Sequence, residues 1–254
     1  MNAPVQVQVP VVTYAQRTFT RQLRGVGGDR GPLAKYPDGL AAPVDEAIPS
    51  PPMAWAMRAA DVVIASLALL FFAPLMLVVA LAVYATDPGP VLFGHLRVGR
   101  YGRPFKCLKF RSMAVNAQEL LRDLLANDAA ARAEWAADHK LRNDPRITPI
   151  GRFLRKSSLD ELPQLFNVIR GEMSIVGPRQ IVLDEVVRYG RYFEVYCQVR
   201  PGITGLWQVS GRNDTSYRRR VACDVTYVRS QSLVGNFQII AATVPSVLQR
   251  SGSY

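Results

Sequence analysis

The sequence predicts a mainly helical protein of the α+β class with one apolar segment that enters a membrane. Three features lead to this prediction: a long uncharged apolar run, a following stretch of short strands separated by Gly and Pro, and several segments with helical spacing of Leu, Ala and Val. We expect residues 1–52 to be a disordered basic segment rich in Pro and Gly, 53–87 a membrane helix, and 88–254 a compact domain.

The charge balance and the scarcity of metal-binding side chains constrain the class of partner. Lys and Arg number 31 against 20 acidic residues, which gives a formal net charge of +11. Such an excess favours nucleic acid, an anionic membrane surface or a phosphorylated substrate. The cysteines at 107, 197 and 223 have neither metal-site nor redox spacing, and two histidines are too few for a histidine-based metal cage. The sequence also lacks a P-loop and a dinucleotide-binding glycine motif.

The apolar run is "VVIASLALLFFAPLMLVVALAVYAT", from Val62 to Thr86, between Asp61 and Asp87. As a helix it would be about 38 Å long, enough to cross a bilayer. It is apolar all the way round, which suits a lipid environment better than one face of a soluble core. The chain is therefore expected to bind a membrane.

The topology of this run stays open from its residues alone. Pro74 lies near its middle, where it removes a backbone donor and favours a bend. Basic residues flank both ends, which would keep both flanks in the cytoplasm; they are Arg58 before the run and Arg97, Arg100, Arg103, Lys106, Lys109 and Arg111 after it. A helix that bends at Pro74 and returns fits both observations. A plain span with a tolerated proline is the slightly favoured alternative.

The remaining chain predicts alternating short elements. "PVLFGHLRVGRYGRPFKCLKFRSM" is typical of short strands, and 117–141 and 181–199 have the spacing of single helices. "LPQLFNVIRG" predicts a helix that ends at Gly171. "SLVGNFQIIAATVPSVLQR" is amphipathic and basic at its end, which suits a membrane surface.

Three basic segments suggest a site for a phosphorylated ligand. In "KFRSM", Lys109 and Arg111 are two residues apart and would share one face of a strand. "VGPRQ" places Arg179 after a Gly-Pro turn, and "RPGITGLWQVSGR" contains two arginines and Trp207 around a glycine-rich turn. Together, in a chain with a membrane segment, these loops indicate a pocket for phosphate.

An acidic pair, Asp160 and Glu161, interrupts the basic sequence in "KSSLDELPQLFN". Ser158 and Glu161 match a capping box, which is the simpler interpretation from the residues alone. If instead Asp160 is the helix N-cap, Pro163 cannot donate to it, and the carboxylate is freer to attack phosphorus. Glu161 would then suit Mg²⁺, which binds hard oxygen ligands and substrate phosphates.

From about Ala54 to its C-terminus the chain resembles the bacterial sugar transferases, also called monotopic phosphoglycosyl transferases. The matching stretches, in the family's order, are "KFRSM", "DPRITPIGRFLRKSSLDELPQLFNVIRGEMSIVGPR" and "RPGITGLWQVSGR". The resemblance is strongest to the short, exopolysaccharide-initiating members. It implies transfer of a sugar-1-phosphate from a UDP-sugar, a hexose such as galactose or glucose, to undecaprenyl phosphate with release of UMP.

The resemblance also implies roles for individual residues. Asp160 matches the nucleophile that forms an aspartyl-phosphosugar, and Asp160 and Glu161 match the pair that holds Mg²⁺. The residues expected to contact substrate or phosphate are Lys109, Arg111, Arg155, Arg179, Arg200 and Gln208, although Arg200 could equally be a structural ion-pair partner. The family's apolar helix is re-entrant and broken at a proline that Pro74 matches, which places the domain at the cytoplasmic face of the bacterial inner membrane.

Some expectations have less support. A homodimer is plausible for the family, and the identity of the sugar is not predicted. The chain departs from the family at Ala73, where serine often precedes the helix-breaking proline, and at Asn236, where aspartate is common. A membrane-anchored nucleic-acid-binding protein is the competing class, but no nucleic-acid fold motif or aromatic stacking array supports it, so no nucleic-acid partner is expected.

Overall fold

The computed structural model describes residues 51–138, 141–210 and 216–248. Nearly all of the segment predicted to be disordered, 1–52, lies outside these residues. The helices are α1 Pro51–Thr86, α2 Ala117–Asn127, α3 Ala129–Asp138, α4 Pro149–Ser157, α5 Gln164–Arg170, α6 Val186–Tyr189, α7 Phe193–Cys197, α8 Leu206–Val209, α9 Tyr217–Arg229 and α10 Leu233–Leu248. The strands are β1 Leu92–Val98, β2 Pro104–Phe110, β3 Ser174–Val176 and β4 Gly202–Thr204. The predicted mainly helical α+β class is confirmed.

The four strands form two small sheets. β1 and β2 confirm the predicted short strands, and they make an antiparallel hairpin in which Leu92 pairs with Phe110 and Val98 with Pro104. β3 and β4 are parallel. Their close approach depends on glycine, because a Cβ built at Gly202 would lie 2.1 Å from the backbone nitrogen of Gly177.

Two helices predicted as continuous are divided. The 117–141 prediction is wrong at Asp128, whose Oδ1 accepts hydrogen bonds from the amides of Ala130 and Ala131 and so starts α3. Residues 139 and 140, near the predicted end, lie outside the described residues. The 181–199 prediction is wrong at Gly190, which has a φ of 49° and separates α6 from α7.

The N-terminal part of α1 is tied to the folded domain by polar contacts. The Arg58 guanidinium donates to the carbonyls of Val168 and Ile169 at 2.7 and 3.0 Å, near the C-terminal end of α5. Asp61 Oδ1 accepts from Ser174 Oγ and from the amide of Ile175, both at 2.9 Å. The Arg58 bonds satisfy carbonyls that the end of α5 leaves unpaired. Together, the Arg58 and Asp61 bonds fix α1 against α5 and β3.

The C-terminal part of α1 packs on the same domain by apolar contacts. Val79 and Val83 are buried in one cluster with Phe110 of β2 and Leu154 of α4. Between the two attached ends, the large apolar side chains of Leu67, Leu70, Phe71 and Leu75 are exposed, and Pro74 lies within this exposed part. Among the described residues, Met53–Thr86 is the one helix long and apolar enough to cross a membrane.

Candidate active site

The acidic pair lies in a tight turn between two helices. Helix α4 ends at Ser158, which adopts a left-handed conformation with φ 58°, and Leu159–Glu161 then form a single 3₁₀ turn. Among the described residues no side chain caps this turn, and Pro163 occupies the N-cap position of α5. The capping box at Ser158 and the N-cap role of Asp160 are therefore both wrong, and the two carboxylates are free for other partners.

Helix α5 holds β2 against this turn. Asn167 is fully buried; its Oδ1 accepts from the amide of Leu108 at 2.9 Å, and its Nδ2 donates to the carbonyl of Lys106 at 2.8 Å. These two bonds hold β2 against the turn. As a result, the side chain of Lys109, the residue after Leu108, lies beside the acidic pair. The Lys109 ammonium lies 2.6 Å from Glu161 Oε1 and 3.9 Å from Asp160 Oδ2.

Burial gives Asp160 an unusual acidity for an aspartate. The residue is only 7 % exposed, and this burial raises its pKa to about 6. Lys109 and Arg155 oppose the increase in pKa because their positive charges favour the carboxylate, whereas Glu161 adds to it. At neutral pH Asp160 is thus mainly ionised, partly desolvated and close to two cations, an environment typical of a reactive group.

The donor atoms at the turn fit a magnesium ion. Mg²⁺ in phosphoryl-transfer sites is commonly bound by one or two carboxylates, with water and substrate phosphates completing its ligands. Asp160 and Glu161 supply two such carboxylates. In the described part of the chain there is no group of three or more His, Cys, Asp and Glu side chains that could hold a metal, so a closed structural cage does not fit.

Of the other predicted residues, Arg155 lies with the acidic pair, and its Nε donates to Ser112 Oγ at 2.9 Å. Arg111 is not brought there: its guanidinium binds the backbone carbonyl of Asp87 and lies 3.8 Å from that residue's carboxylate. Arg200 Nε donates to the carbonyl of Gly171 at 2.7 Å, at the end of α5 where Arg58 also binds. This partner is a backbone carbonyl, and among the described residues no carboxylate lies within 4.0 Å of Arg200, so the ion-pair alternative stays a prediction.

Gln208 and Arg179 lie with a second set of side chains. Gln208 Nε2 donates to the carbonyl of Ile203 at 3.0 Å. The guanidinium of Arg179 lies 5.1 Å from the ring centre of Trp207, and Arg220 lies 4.8 Å from the same ring. Sequence reasoning missed Arg220 and its neighbour Tyr217; the arginine run in "SYRRRV" was the available signal.

Comparison with known proteins places the chain in a family. A family model described as bacterial sugar transferase matches residues 53–250. The chain belongs to the bacterial sugar transferase family. This confirms the resemblance seen in the motifs.

Several curated relatives of this family member have named activities. An undecaprenyl-phosphate galactose phosphotransferase of Salmonella typhimurium is 53 % identical over 197 residues, covering 78 % of this chain and 41 % of the relative. The exopolysaccharide production protein ExoY of Rhizobium meliloti is 51 % identical over 199 residues, covering 78 % of this chain and 88 % of the relative. A UDP-glucose:undecaprenyl-phosphate glucose-1-phosphate transferase of Caulobacter vibrioides is 42 % identical over 205 residues, covering 78 % and 71 %.

The lengths of the relatives differ. The chain spans about two-fifths of the Salmonella protein and of an uncharacterized sugar transferase of Haemophilus influenzae, which is 54 % identical over 197 residues and covered to 42 %. It spans most of ExoY. The part of this chain that the family model matches contains the acidic pair, Lys109 and Arg155.

Proposed function

We propose that the protein is a membrane enzyme that transfers a hexose-1-phosphate from a UDP-sugar to undecaprenyl phosphate and releases UMP. This would be the first membrane step in the synthesis of an exopolysaccharide or O-antigen-type glycan. Family membership and the named activities of the relatives support the reaction class. The structural observation that supports it best is the buried Asp160, left out of any cap and set 3.9 Å from the Lys109 ammonium.

In the first half-reaction, an oxygen of the Asp160 carboxylate attacks the β-phosphorus of the UDP-sugar. A bond forms between this oxygen and phosphorus, and the bond from phosphorus to the bridging oxygen breaks, so that its electron pair leaves with UMP. Lys109 and Arg155 stabilise the negative charge on the phosphoryl oxygens. Asp160 and Glu161 would hold Mg²⁺, which supplies further neutralisation of phosphate charge when bound.

In the second half-reaction, a phosphate oxygen of undecaprenyl phosphate attacks the same phosphorus. The acyl-phosphate bond breaks, the sugar-1-phosphate moves to the lipid, and Asp160 is regenerated as a carboxylate. No proton needs to be abstracted in either step when both nucleophiles are anionic, so the demand on the protein is charge neutralisation and alignment. The cations around the turn match that demand.

We further propose that α1 is re-entrant, with the folded domain on the cytoplasmic face of the inner membrane. Asp61 and Val83 are about 33 Å apart along a straight helix, close to the thickness of a hydrocarbon core. Yet Asp61 bonds to β3 while Val83 packs with β2 and α4 of the same domain. Attachment of both ends to one domain, with Pro74 in the exposed part between them, supports entry and exit on one side.

Cysteine labelling tests the topology. In a background without native cysteines, Ser50→Cys and Ser251→Cys should both resist an impermeant maleimide in intact spheroplasts and react after permeabilisation. A periplasmic cysteine introduced into a co-expressed marker protein confirms that the reagent reaches that side. Labelling of Ser50→Cys in intact spheroplasts would mean that α1 spans the bilayer.

Trapping the covalent intermediate tests the mechanism. With Mg²⁺ and a UDP-sugar labelled in the sugar, but no lipid acceptor, UMP release should not exceed about one equivalent of enzyme in the first phase. The label should then lie on the peptide that contains "SSLDELPQLF", and undecaprenyl phosphate should remove it into the lipid fraction. If UMP forms only when the lipid is present and no labelled peptide can be trapped, the transfer is direct and Asp160 has another role.

Substitution of the nucleophile has a matched control in the same chain. Asp160→Asn should lower UMP release roughly a thousandfold or more, because the attacking oxygen is lost. Asp184→Asn alters an exposed aspartate in the other "LDE" 3₁₀ turn, Leu183–Glu185, and should leave the rate unchanged. A panel of UDP-sugars with the wild-type enzyme would identify the sugar, since the named relatives include galactose and glucose enzymes.

A further inference from the structure

A group of arginine and aromatic side chains lies on segments that the mechanism above does not use. The guanidinium carbon of Arg179 lies 5.1 Å from the Trp207 ring centre, and that of Arg220 lies 4.8 Å from the same ring and 5.9 Å from Tyr217. We call these four residues the arginine–aromatic cluster. The distances are those of cation–π contacts, which fix a guanidinium plane while leaving its N–H groups available.

The two arginines of the cluster lack full counter-ions. Within the described residues, neither Arg179 nor Arg220 has a carboxylate oxygen within 4.0 Å of its guanidinium. Two acidic side chains lie near the cluster. Asp224 accepts from the Tyr189 hydroxyl at 2.6 Å and, at 3.4 Å, from the backbone amide of Arg179 rather than from its guanidinium. Glu185 lies 4.0 Å from Arg97. Two neighbouring cations that are half-buried without a paired anion are unfavourable unless a ligand supplies the negative charge.

The cluster also has unused hydrogen-bond donors. In the part of the chain that the structure describes, Trp207 Nε1, Arg220 Nε and the Tyr217 hydroxyl are buried atoms without a hydrogen-bond partner. Buried donors are normally satisfied, because an unpaired one costs more than a typical bond contributes. Unpaired donors beside two arginines are typical of a site for a ligand with several acceptor oxygens, and a phosphate group has that property.

A short polar path joins the cluster to the acidic pair. Gln180 follows Arg179 in the chain, and its Nε2 donates to Gln164 Oε1 at 3.3 Å. Gln164 is the first residue of α5, three positions after Glu161, and it is fully buried. From β1, Arg97 donates to the Gln180 carbonyl at 3.1 Å and so fixes the same segment. The segment that carries Arg179 is therefore bonded to the helix that follows the acidic pair.

The cluster and the acidic pair lie on different elements. Helix α9, which contains Tyr217 and Arg220, packs on α6, α7 and α8. Helix α8, which contains Trp207, also packs on α10, and α10 in turn contacts α1. The acidic pair lies between α4 and α5, which both contact α1 directly.

We propose that the arginine–aromatic cluster binds the nucleoside monophosphate half of the donor, with Arg179 and Arg220 on its phosphate and the aromatic rings beside its base. The acidic pair then acts on the second phosphate, which bears the sugar. When the bond between the bridging oxygen and that second phosphorus breaks, the leaving electron pair increases the negative charge on the first phosphate, next to the two guanidinium groups. This proposal rests on the proposed function and assigns Arg220, Trp207 and Tyr217 to it.

Binding of UMP to the full-length protein in lipid nanodiscs tests the proposal without turnover. Arg220→Gln should weaken UMP binding by about tenfold to a hundredfold, the effect of losing one charge-assisted contact to phosphate. The matched control is Arg219→Gln, which removes the same charge from an exposed neighbour on α9 and should change the affinity less than about twofold. Uridine, which has no phosphate, should bind both variants equally.

Two further measurements separate misfolding and other ligands from the proposed contact. Arg220→Lys keeps the charge and should recover part of the UMP affinity, and thermal melting should show that all variants are folded. If folded Arg220→Gln binds UMP like wild type, or wild type does not bind UMP at millimolar concentration, the cluster is not the nucleotide site. If instead only the KM for undecaprenyl phosphate increases, the cluster binds the lipid phosphate and the proposal is wrong. Binding of UMP by a protein that releases none from any UDP-sugar would overturn the proposed function alone.

Discussion

Two cationic regions of this protein are built in opposite ways. At the acidic pair, the Lys109 ammonium faces two carboxylates at 2.6 and 3.9 Å. In the arginine–aromatic cluster, Arg179 and Arg220 face the ring of Trp207 instead of an acid. A flexible lysine can exchange carboxylate for phosphate during a reaction, whereas a guanidinium held on an aromatic ring keeps its orientation. The first region suits chemistry, and the second suits recognition.

The two buried aspartates show the same contrast. Burial raises the pKa of Asp160 to about 6 and that of Asp224 to about 7. Asp160 has the Lys109 ammonium 3.9 Å away, whereas Asp224 is 1 % exposed and accepts a 2.6 Å hydrogen bond from the Tyr189 hydroxyl. Asp224 is therefore partly protonated near neutral pH and supplies only part of a negative charge to the arginines beside it.

Among substitutions that keep the proposed nucleophile, the largest effect should come from removing the cation at the acidic pair. Lys109→Met should lower the rate of UMP release by roughly a hundredfold, since it leaves phosphate and carboxylate charges without a stabilising ammonium. Lys106→Met, an exposed lysine on the same strand, should have little effect. Initial rates at saturating UDP-sugar check both. Retention of most activity by Lys109→Met would show that the pairing at 2.6 Å is structural.

A smaller effect is expected at the second carboxylate. Glu161→Gln should lower the rate about tenfold and make it less dependent on Mg²⁺, because an amide is a weaker ligand than a carboxylate for a hard cation. Rates measured across a Mg²⁺ titration test this, with the exposed Glu119→Gln as the control. An unchanged Mg²⁺ profile would remove Glu161 from the proposed metal site.

Asp224 predicts a pH dependence of stability rather than of rate. Its folded pKa of about 7 exceeds the ordinary value of 3.8, so the folded protein keeps a proton that the unfolded chain releases. This contribution is fully present below about pH 4 and is lost as the pH rises through about 7, with an upper limit of about 4 kcal/mol. Melting temperatures between pH 5 and 8 should therefore fall less in Asp224→Asn than in wild type. An equal slope in both proteins would contradict the buried, protonated aspartate.

The smallest expected effect is that of Mg²⁺ on the affinity for UMP, and it tests which residues bind the nucleotide phosphate. If the cluster holds the nucleotide phosphate with guanidinium groups alone, the affinity for UMP should change less than about twofold between excess Mg²⁺ and EDTA. The affinity for intact UDP-sugar, measured in Asp160→Asn to prevent turnover, should depend more on Mg²⁺ because its second phosphate lies at the acidic pair. A strong Mg²⁺ dependence of UMP binding would place the nucleotide phosphate at the acidic pair too.

The sequence predicted those strands and helix ends that depend on residues close together in the chain. Strand-like segments separated by Gly and Pro predicted the two strands β1 and β2, although not their antiparallel pairing. Gly171 correctly ended α5 because its φ of 80° suits glycine. Helical spacing of apolar residues predicted single helices over 117–141 and 181–199, and these predictions were wrong at Asp128 and Gly190. There a capping aspartate and a glycine with positive φ stop helices whose apolar spacing continues past them.

The site was predictable only where its residues are neighbours in sequence or match a family motif. Asp160, Glu161 and Lys109 meet, but the motif that paired Lys109 with Arg111 could not show that Arg111 binds Asp87 at the end of α1. Arg220 meets Trp207 from a separate helix. No periodicity or spacing encodes such a contact, because it arises from the packing of α9 on α8.

Helix α5 has a consequence for how a lipid substrate is reached. It is only seven residues, about 10 Å, long. Its first turn follows the acidic pair, and its last carbonyls accept hydrogen bonds from Arg58 of α1, so this short helix separates the Asp160 carboxylate from α1. In the re-entrant arrangement we propose, the length of α5 fixes the distance between Asp160 and the membrane surface. The enzyme would then accept a polyprenyl phosphate whose phosphate group lies at the same depth in the membrane as Asp160. The lipid tail could stay in the bilayer during the reaction.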